Sequence, residues 1–534
     1  MNVIFRVDAS AEIGLGHLAR CLSLAQALRT LGARCLFLAR ELGLALQSRV
    51  DAAGFELRLL PAPRADVDPA TDAPAHARWA RVGQDTDVAD AATALAGLQP
   101  EWAVIDHYAF DARWHRAWRS RVGGRVAAID DLGDRDLAVD LVVDHNVAAD
   151  HAAKYAGRLG PGATLLGGPR FALIAPAYAR APRCRPGPEV GSIGIFLGGS
   201  DAGGYSLRAL EVCTRAGFTG PVEVVATSAH PHLSALQEAA RRRPQTTLSL
   251  DLPDLAAFFA RHDLQIGASG GSTWERCCIG APTLAVMVAE NQRMVLEPLA
   301  GLGVLEAVLE YPNDDLTWAG ALRSLLDRPA QRLAMSERAT ALVDGRGAER
   351  VALRMLADRL ALRPATPEDA DLLYRWRNHP ATRAVSRDPR PIDRDAHVAW
   401  LARSLADTAR RLWIGHVGRV DIGTIRFDAG PQGDAEVSLY LDPDLHGLGL
   451  GGRLLRAGET EARRAGLAQR LFVATVLDAN AGSRQLFRSG GYQQGTGGQG
   501  LATPVDTGQS LWTKDVPAGR TPASEEAQTH VQDP

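Results

Sequence analysis

The sequence predicts an α/β chain with two doubly wound parallel-sheet domains followed by a smaller α+β domain. With 534 residues, the chain is too long for one hydrophobic core. Short, continuously apolar runs alternate with helical patterns, as expected for parallel strands covered by helices on both faces. This alternation restarts after a proline-rich junction at Ala175–Val190, and near residue 360 it changes to strands that can pair antiparallel.

The first predicted domain covers residues 1–178. Its predicted strands are Val3–Val7, Cys35–Arg40, Phe55–Leu60, Ala103–Tyr108, Arg125–Asp131 and Asp140–Asn146. A helix is predicted to begin at Gly16 or His17, because apolar residues recur at helical spacing from there onward. These apolar residues are Leu18, Cys21, Leu22, Ala25 and Leu28.

The second predicted domain covers residues 190–358. Its predicted strands are Ser192–Gly199, Val222–Thr227, Thr247–Leu252, Leu264–Ser269 and Pro282–Val288, and a helical stretch follows from about Trp318 to Leu362. Two Rossmann-like halves joined by a linker make a cleft, and ligands of such sheets bind where loops leave the carboxyl ends of the strands.

The third predicted domain covers residues 360–516. Its predicted strands are Arg411–Val417, Val420–Asp428, Ala435–Pro443, Leu471–Leu477 and Ser510–Lys514, with helices between them. Residues 517–534 are expected to form a disordered tail.

Composition excludes several classes of function. The formal net charge is −3, and Lys154 and Lys514 are the only lysines, so no basic field for nucleic acid is expected. The six cysteines have no zinc spacing and are expected to be reduced core residues, without metal. No apolar run reaches the roughly 20 residues of a membrane span, and the N-terminus lacks a signal-peptide pattern, so we expect a cytoplasmic protein without a membrane partner.

His17 stands where a glycine-rich turn becomes a helix. Free N–H groups there favour an anion, and Gly14 and Gly16 let the backbone approach it closely. The same field disfavours a protonated imidazole, and a general base must be neutral. Taken alone, the spacing Gly-x-Gly-His favours a helix-start histidine with only a packing or phosphate-binding role. The nearby Arg6, Asp8 and Arg20 either orient the base or the diphosphate, or form surface salt bridges.

Two loops of the second domain add to this pattern. The stretch Gly198–Gly204 follows a strand and opens a helix, as a phosphate cradle does, although it lacks the P-loop lysine. The stretch Ser269–Cys277 does the same, and Glu275 lies one turn into its helix, where a carboxylate can hold ribose hydroxyls. Each loop alone is also compatible with a turn that needs glycine.

Together, GxGH, GGSD, SGGSTWE and AENQ (Ala289–Gln292) resemble the metal-independent UDP-2,4-diacetamido-2,4,6-trideoxy-β-L-altropyranose hydrolases of pseudaminic acid biosynthesis. That family is related to GT-B glycosyltransferases of the MurG type. The resemblance covers about residues 1–350. It implies that a UDP-activated amino sugar lies between the halves and that His17 activates a water molecule, which attacks C1 with inversion and expels UDP.

The same resemblance assigns substrate-binding roles to further residues. Gly14 and Gly16 are expected beside the diphosphate and Tyr108 at the sugar, and Arg20 is a further expected substrate contact because it flanks the motif. The remaining expected substrate contacts are Gly199, Ser200, Ser272, Thr273, Glu275, Glu290 and Asn291.

The third domain carries the stretch HGLGLGGRLL, His446–Leu455, between a strand and a helix. Its backbone amides are placed to bind a pyrophosphate. The stretch resembles the acetyl-CoA loop of GNAT N-acetyltransferases, although His446 departs from the glutamine or arginine usual at the first position. The resemblance implies that acetyl-CoA is bound by Leu441, Gly447, Gly449, Gly451, Gly452 and Asn480.

The acid and base of the acetyl transfer stay open at the level of sequence. Phe487 stands where many members of that family have a tyrosine, so the acid role passes to Tyr440 or Tyr492, and Glu436 is a candidate to accept the amine proton through water. The triplet Trp376–Asn378 is expected to line the acceptor pocket.

The chain is therefore predicted to be a bifunctional enzyme. Its last domain would acetylate the 4-amino group of a UDP-amino sugar from acetyl-CoA, and its first two domains would hydrolyse the product without metal. Two alternatives are a GT-B transferase with an organic acceptor and a sugar-nucleotide sensor without turnover.

Overall fold

The computed structural model describes residues 1–10, 12–42, 46–63, 73–199, 201–310, 314–495 and 507–516. The chain divides into two compact units, Met1–Ala352 and Leu353–Pro534. The expected tail at 517–534 lies outside the described residues, and the three boundaries set from the sequence stay predictions.

The first sheet is fully parallel, with strand order β3-β2-β1-β4-β5-β6-β7. Its strands are β1 (Asn2–Val7), β2 (Arg34–Arg40), β3 (Glu56–Leu60), β4 (Trp102–Asp106), β5 (Arg125–Ile129), β6 (Leu141–Asp144) and β7 (Thr164–Gly167). Its helices are α1 (Gly16–Thr30), α2 (Gln47–Ala52), α3 (Gln84–Ala94), α4 (Ala112–Arg121), α5 (His151–Lys154) and α6 (Pro176–Arg180). The order reverses at β1 and β4, so the loops that follow these two strands meet.

The second sheet is also parallel, with strand order β10-β9-β8-β11-β12-β13. Its strands are β8 (Ile193–Phe196), β9 (Val222–Ala226), β10 (Thr246–Leu250), β11 (Leu264–Ala268), β12 (Thr283–Val286) and β13 (Glu306–Val308). The helices that follow are α7 (Tyr205–Arg215), α8 (Leu233–Arg242), α9 (Ala256–Arg261), α10 (Gly271–Ile279), α11 (Arg293–Gly301), α12 (Asp315–Asp327), α13 (Pro329–Leu342) and α14 (Gly347–Met355). Here the order reverses at β8 and β11, whose following loops carry the GGSD and SGGSTWE stretches.

The third sheet has strand order β14-β15-β16-β17-β18-β20-β19. Its strands are β14 (Ala361–Pro364), β15 (Arg410–Val417), β16 (Val420–Ala429), β17 (Asp434–Leu441), β18 (Leu471–Leu477), β19 (Gln493–Gln494) and β20 (Gln509–Asp515). Its helices are α15 (Ala370–Asn378), α16 (Pro380–Ala384), α17 (Arg394–Ala406), α18 (Leu450–Arg464) and α19 (Ala481–Ser489).

All pairs in this third sheet are antiparallel except β17 with β18. That parallel pair holds only over 434–436 against 471–473, so the remainder of β17 is not paired with β18 and the sheet opens between them. The predicted fold class, two Rossmann-like domains followed by an α+β domain, is confirmed.

Arg6 and Asp8 lie in the core of the first sheet. They neither orient the base or the diphosphate nor form a surface salt bridge, so both predictions for this pair are wrong. Both side chains are fully buried, and Arg6 bonds Asp8 and Asp87, while Arg40 Nη2 lies 2.9 Å from Asp87 Oδ2. Burial opposes ionisation, but the Arg6 guanidinium holds the pKa of Asp8 below its usual value. Neither residue contacts His17. The four charges therefore form a buried structural network.

Within the described ranges, no helix combines the length and the apolar character that crossing a bilayer requires.

Candidate functional site

His17 lies in the first turn of α1, at the carboxyl ends of β1 and β4. Val7 at the end of β1 pairs with Asp106 at the end of β4, which places the loop of Gly14 and Gly16 beside that carboxylate. Gly14 has φ +76°, a conformation that suits glycine, and a Cβ at Gly14 or Gly16 would meet nothing within 4 Å. The α1 N-terminus has no side-chain cap. Open space and free N–H groups therefore adjoin the histidine.

Asp106 fixes the orientation of the His17 ring. Its Oδ1 lies 2.6 Å from His17 Nδ1, and Arg20 donates to both carboxylate oxygens at 2.6 and 2.7 Å. Burial opposes ionisation of Asp106, but Arg20 and His17 hold its pKa below the usual value. An ionised carboxylate on Nδ1 makes that nitrogen the N–H donor and leaves Nε2 as the basic nitrogen. Among the described residues, none bonds Nε2.

Tyr108 lies directly beside this pair. Its ring centroid is 4.9 Å from that of His17, and its hydroxyl accepts a hydrogen bond from Arg20 Nη2 at 3.1 Å and donates to Asp131. Burial raises the pKa of Tyr108 well above its ordinary value, so the hydroxyl stays protonated. Because the hydroxyl is held by Arg20 and Asp131, the ring is the part of Tyr108 that can face a sugar.

Two aromatic residues near His17 were not predicted from the sequence. The Trp79 ring lies 6.0 Å from the His17 ring, and its Nε1 donates to Glu12 Oε1 at 3.0 Å. The His76 ring lies 4.7 Å from that of Trp79. Both belong to a short 3₁₀ segment and its entry, where no motif marks them. They form an aromatic wall beside the proposed base.

His145 is a further residue that sequence reasoning missed. It follows β6, is 5% exposed, and its ring lies 6.1 Å from that of Trp274 in α10. Burial lowers the pKa of His145 to about 4, and the nearby Arg20 charge acts in the same direction. The side chain is therefore neutral and lies between the His17 group and the second half of the unit.

The start of α7 corrects the prediction of a phosphate cradle at Gly198–Gly204. The Asp201 carboxylate accepts from the backbone N–H groups of Tyr205 at 2.9 Å and Ser206 at 2.8 Å. These are the donors that a phosphate would need, and a fixed carboxylate repels a second anion. Gly199 precedes this cap and accepts from Thr227 Oγ1 at 2.9 Å, whereas Ser200 lies outside the described residues.

The N-terminus of α10, unlike that of α7, is not capped by a carboxylate. Gly270 has φ +130°, the helix has no side-chain cap, and a Cβ at Gly270 or Gly271 would meet nothing within 4 Å. Ser272 lies at this edge. Thr273, predicted as a substrate contact, is 1% exposed, and its N–H bonds Gly270 O, so it lies behind the loop. The α10 N-terminus is therefore the helix start that stays open to an anion, in contrast to that of α7.

Glu275 and the AENQ stretch differ in their surroundings. Burial raises the pKa of Glu275 to about 7, although a hydrogen bond with the Tyr178 hydroxyl opposes the shift. Glu290 is exposed and pairs with Arg293 at 2.7 Å. The side chain of Asn291 lies outside the described residues. Gln292, which was not predicted, accepts from Val288 N at 3.0 Å and thereby fixes this loop.

The second unit contains a cavity of about 1240 Å³ where β17 and β18 diverge. All six residues predicted to bind acetyl-CoA line it: Leu441, Gly447, Gly449, Gly451, Gly452 and Asn480. Gly449 has φ +71° and precedes α18, which has no side-chain cap, and a Cβ at Gly447 would meet nothing within 4 Å. The loop therefore presents free amides to an open space.

The cavity distinguishes the candidates for acid and base. Tyr440 and Glu436 both line it, and burial raises the pKa of Tyr440, which keeps its hydroxyl protonated. Tyr492 is 3% exposed, packs against Phe487 and is absent from the cavity lining, so it is excluded as the acid.

The triplet Trp376–Asn378 is only partly at this cavity. Arg377 lines it, but Trp376 packs in the core and Asn378 bonds the backbone of Ile392 at 2.8 and 2.9 Å. Of the triplet, only Arg377 lies at this cavity, and its role at the acceptor stays a prediction.

Comparisons with known proteins identify similar proteins for different parts of the chain. Residues 359–493 match the family model described as an acetyltransferase (GNAT) domain. The spore coat polysaccharide biosynthesis protein SpsG of Bacillus subtilis (strain 168) is 27% identical over 194 residues, which cover 34% of this chain and 56% of SpsG. The chain thus spans about half the length of that relative.

Solved structures are similar to each unit. MurG of Acinetobacter baumannii is 13% identical, with a TM-score of 0.46, over 66% of this chain and 98% of MurG. The yncA structure of Salmonella typhimurium, which contains its cofactor acetyl-CoA, is 23% identical with a TM-score of 0.25, over 31% of this chain and 99% of yncA. The second unit contains a GNAT acetyltransferase domain, and the prediction of acetyl-CoA as its co-substrate is confirmed at the level of that domain.

Within the described part of the chain, no group of three or more His, Cys, Asp or Glu side chains is arranged to hold a metal ion.

Proposed function

We propose that the first unit hydrolyses a UDP-activated amino sugar at C1, with His17 as the base that activates water. The observation that carries this proposal is the contact between His17 Nδ1 and the buried Asp106 at 2.6 Å. The carboxylate orients the ring and stabilises the imidazolium that forms when Nε2 takes a proton from water. The open glycine turn beside the ring supplies room for the reacting sugar.

The leaving group fits the other half of the unit. UDP leaves as a diphosphate, whose charge the uncapped N-terminus of α10 can stabilise. Similarity to a protein of polysaccharide biosynthesis supports an activated sugar as the substrate class. We assign this substrate to the UDP-2,4-diacetamido-2,4,6-trideoxy-β-L-altropyranose class, on the motifs quoted from the sequence.

Incubation of the purified chain with this UDP-sugar and no acceptor tests the proposal. We expect release of UDP and free sugar, since water is the nucleophile. His17→Asn should lower the rate by on the order of 10²-fold or more while UDP-sugar binding stays within several-fold, because Nε2 removes a proton in the transition state. Chromatography of the products and calorimetry measure the two quantities.

Other outcomes identify the alternatives. Release of UDP only after an alcohol or amine acceptor is added would make the unit a glycosyltransferase. Tight binding without turnover, equal in the wild type and His17→Asn, would make it a sensor. Lost binding with normal turnover per bound substrate would make His17 a ligand contact.

The second unit is proposed to transfer acetyl from acetyl-CoA to an amino group of the UDP-sugar precursor. The wedge between β17 and β18 would hold the cofactor, and Tyr440 would protonate the leaving thiolate. The transfer needs chiefly a neutral amine held against the thioester, so no protein nucleophile is required. Mass spectrometry of candidate UDP-amino sugars incubated with acetyl-CoA should show the acetylated product, and an unchanged mass for all of them would contradict this acceptor class.

A further inference from the structure

Arg276, in α10, is a buried arginine that forms no ion pair within the described residues, although the neighbouring Glu275 carboxylate acts on it electrostatically. Its side chain is 1% exposed, and no carboxylate of the described residues forms an ion pair with it. An isolated charge in a protein interior is costly unless something compensates it. Burial accordingly lowers the pKa of Arg276 to about 10. The fold nevertheless makes room for the group, because a Cβ at Gly267 would lie 2.5 Å from its Nη1.

The contacts of Arg276 direct it at the loop that opens α10. Nη1 donates to Ser272 Oγ at 3.1 Å, and Nη2 donates to Ala268 O at 2.8 Å and Thr273 Oγ1 at 3.3 Å. Its Nε has no partner among the described residues. The guanidinium is therefore anchored to the end of β11 and to both hydroxyls of the loop.

These bonds decide the orientation of the Ser272 hydroxyl. A guanidinium only donates, so Ser272 Oγ accepts from Arg276 and its own hydrogen must point elsewhere. No described residue accepts that hydrogen. On the open side of the loop lie Gly270 and Gly271, where an added Cβ would meet nothing within 4 Å. A hydroxyl donor, two glycine positions and an uncapped helix start thus face the same space.

We propose that Arg276 is a positioning residue for the diphosphate group of a nucleoside diphosphate. It fixes the Ser272 hydroxyl as a donor to a phosphoryl oxygen, and it adds positive charge behind the N-terminus of α10. The negative charge of the bound diphosphate then compensates the buried guanidinium. This inference rests on the proposed function, which places the nucleotide at the same loop.

Arg332 provides a matched control. It is also fully buried, and its guanidinium donates to the backbone carbonyls of Leu325, Leu326, Gly187 and Pro188. Burial lowers the pKa of Arg332 as it does that of Arg276. Because Arg332 contacts neither Ser272 nor Thr273, its replacement reports the structural effect of losing a buried arginine.

The test compares UDP with uridine, which lacks the diphosphate, as ligands of the full chain in calorimetry. Arg276→Met should weaken UDP binding by about tenfold or more and leave uridine binding within about threefold. Arg276→Lys, which keeps the charge but not the planar donors, should fall between Arg276→Met and the wild type. Arg332→Met should lower Tm and change the affinities for the two ligands equally, if at all.

Equal losses for UDP and uridine in Arg276→Met, or no loss of UDP binding, would overturn the inference. If Arg276→Met does not fold, Ser272→Ala decides, because it should weaken UDP binding several-fold and spare uridine; an unchanged UDP affinity would then refute the role. A wild-type chain that binds neither ligand would contradict the proposed function itself. Normal UDP binding that is insensitive to Arg276 would contradict the positioning role alone.

Discussion

The orientation of His17 depends on a residue 89 positions away in the chain. The Asp106 carboxylate contacts Nδ1 and fixes the ring, whereas the start of α1 places backbone N–H groups beside it. The two influences act on different atoms: the carboxylate holds the Nδ1 proton, and the amides of the turn adjoin the space in front of the ring. The pair can therefore take up a proton at Nε2 without losing the orientation of the ring.

Glu275 makes a prediction about pH at the scale of one residue. If its carboxylate accepts hydrogen bonds from ribose hydroxyls, only the ionised form binds well. A pKa of about 7 then means that uridine affinity rises as the pH increases through 7, by about tenfold between roughly pH 6 and pH 8. Calorimetric titration with uridine measures this, since uridine carries no titrating phosphate.

The control for this prediction is Glu275→Gln, which cannot ionise and should bind uridine equally at both pH values. A flat profile for the wild type, or the same slope in Glu275→Gln, would show that Glu275 does not hold the nucleoside.

At the scale of elements, the long apolar strands were easier to predict than the short strands or the order of strands in each sheet. Continuous apolar runs identified β1, β4, β8 and β11, since parallel strands are buried on both faces. The short strands β7 (Thr164–Gly167) and β13 (Glu306–Val308) were missed, because three or four residues carry too little pattern. Sheet order depends on long-range packing, which a local pattern does not contain.

The same limit explains the parts of the site that were missed. His17 and the glycine turns are local motifs, and the sequence located them. Asp106 ends a predicted strand, but its contact with His17 requires that β4 lie beside β1. In the sequence, Asp201 is part of a glycine-rich loop. Only the structure shows that its carboxylate caps α7. Buried Thr273 likewise looks like a loop hydroxyl in the sequence.

The start of α18 carries a prediction for the acetyl-CoA site. Gly449→Glu should abolish acetyl-CoA binding, because it places a carboxylate at the free amides that face the cavity. Gly466→Glu is its matched control: Gly466 follows the same helix, has φ +72°, and a Cβ there would meet nothing within 4 Å. Backbone strain is thus equal in the two variants. The acetyl-CoA affinity measured by calorimetry therefore distinguishes an effect of strain from the loss of a cofactor contact.

Equal loss of acetyl-CoA binding in the two glycine variants would assign the effect to the folding of α18. Binding retained by Gly449→Glu would remove the loop from the cofactor site.

At the scale of the whole molecule, one chain carries two candidate sites, for which we propose different chemistry. One site is built on two parallel sheets and the other on an open, mostly antiparallel sheet. The proposed reactions follow one another, since acetylation of the UDP-amino sugar gives the substrate that the first unit hydrolyses. Separate sites also mean that Gly449→Glu should leave UDP release from the acetylated sugar unchanged, and loss of both activities would contradict this independence.

The central claim is that water, activated by His17, attacks C1 of the sugar. Hydrolysis in water enriched in oxygen-18 tests it directly, with mass spectrometry of the UDP that is released. Attack at C1 leaves the bridging oxygen on UDP, so we predict UDP without label, formed in the absence of any acceptor and lost in His17→Asn. Label in the terminal phosphate of UDP would show attack at phosphorus and would contradict the account.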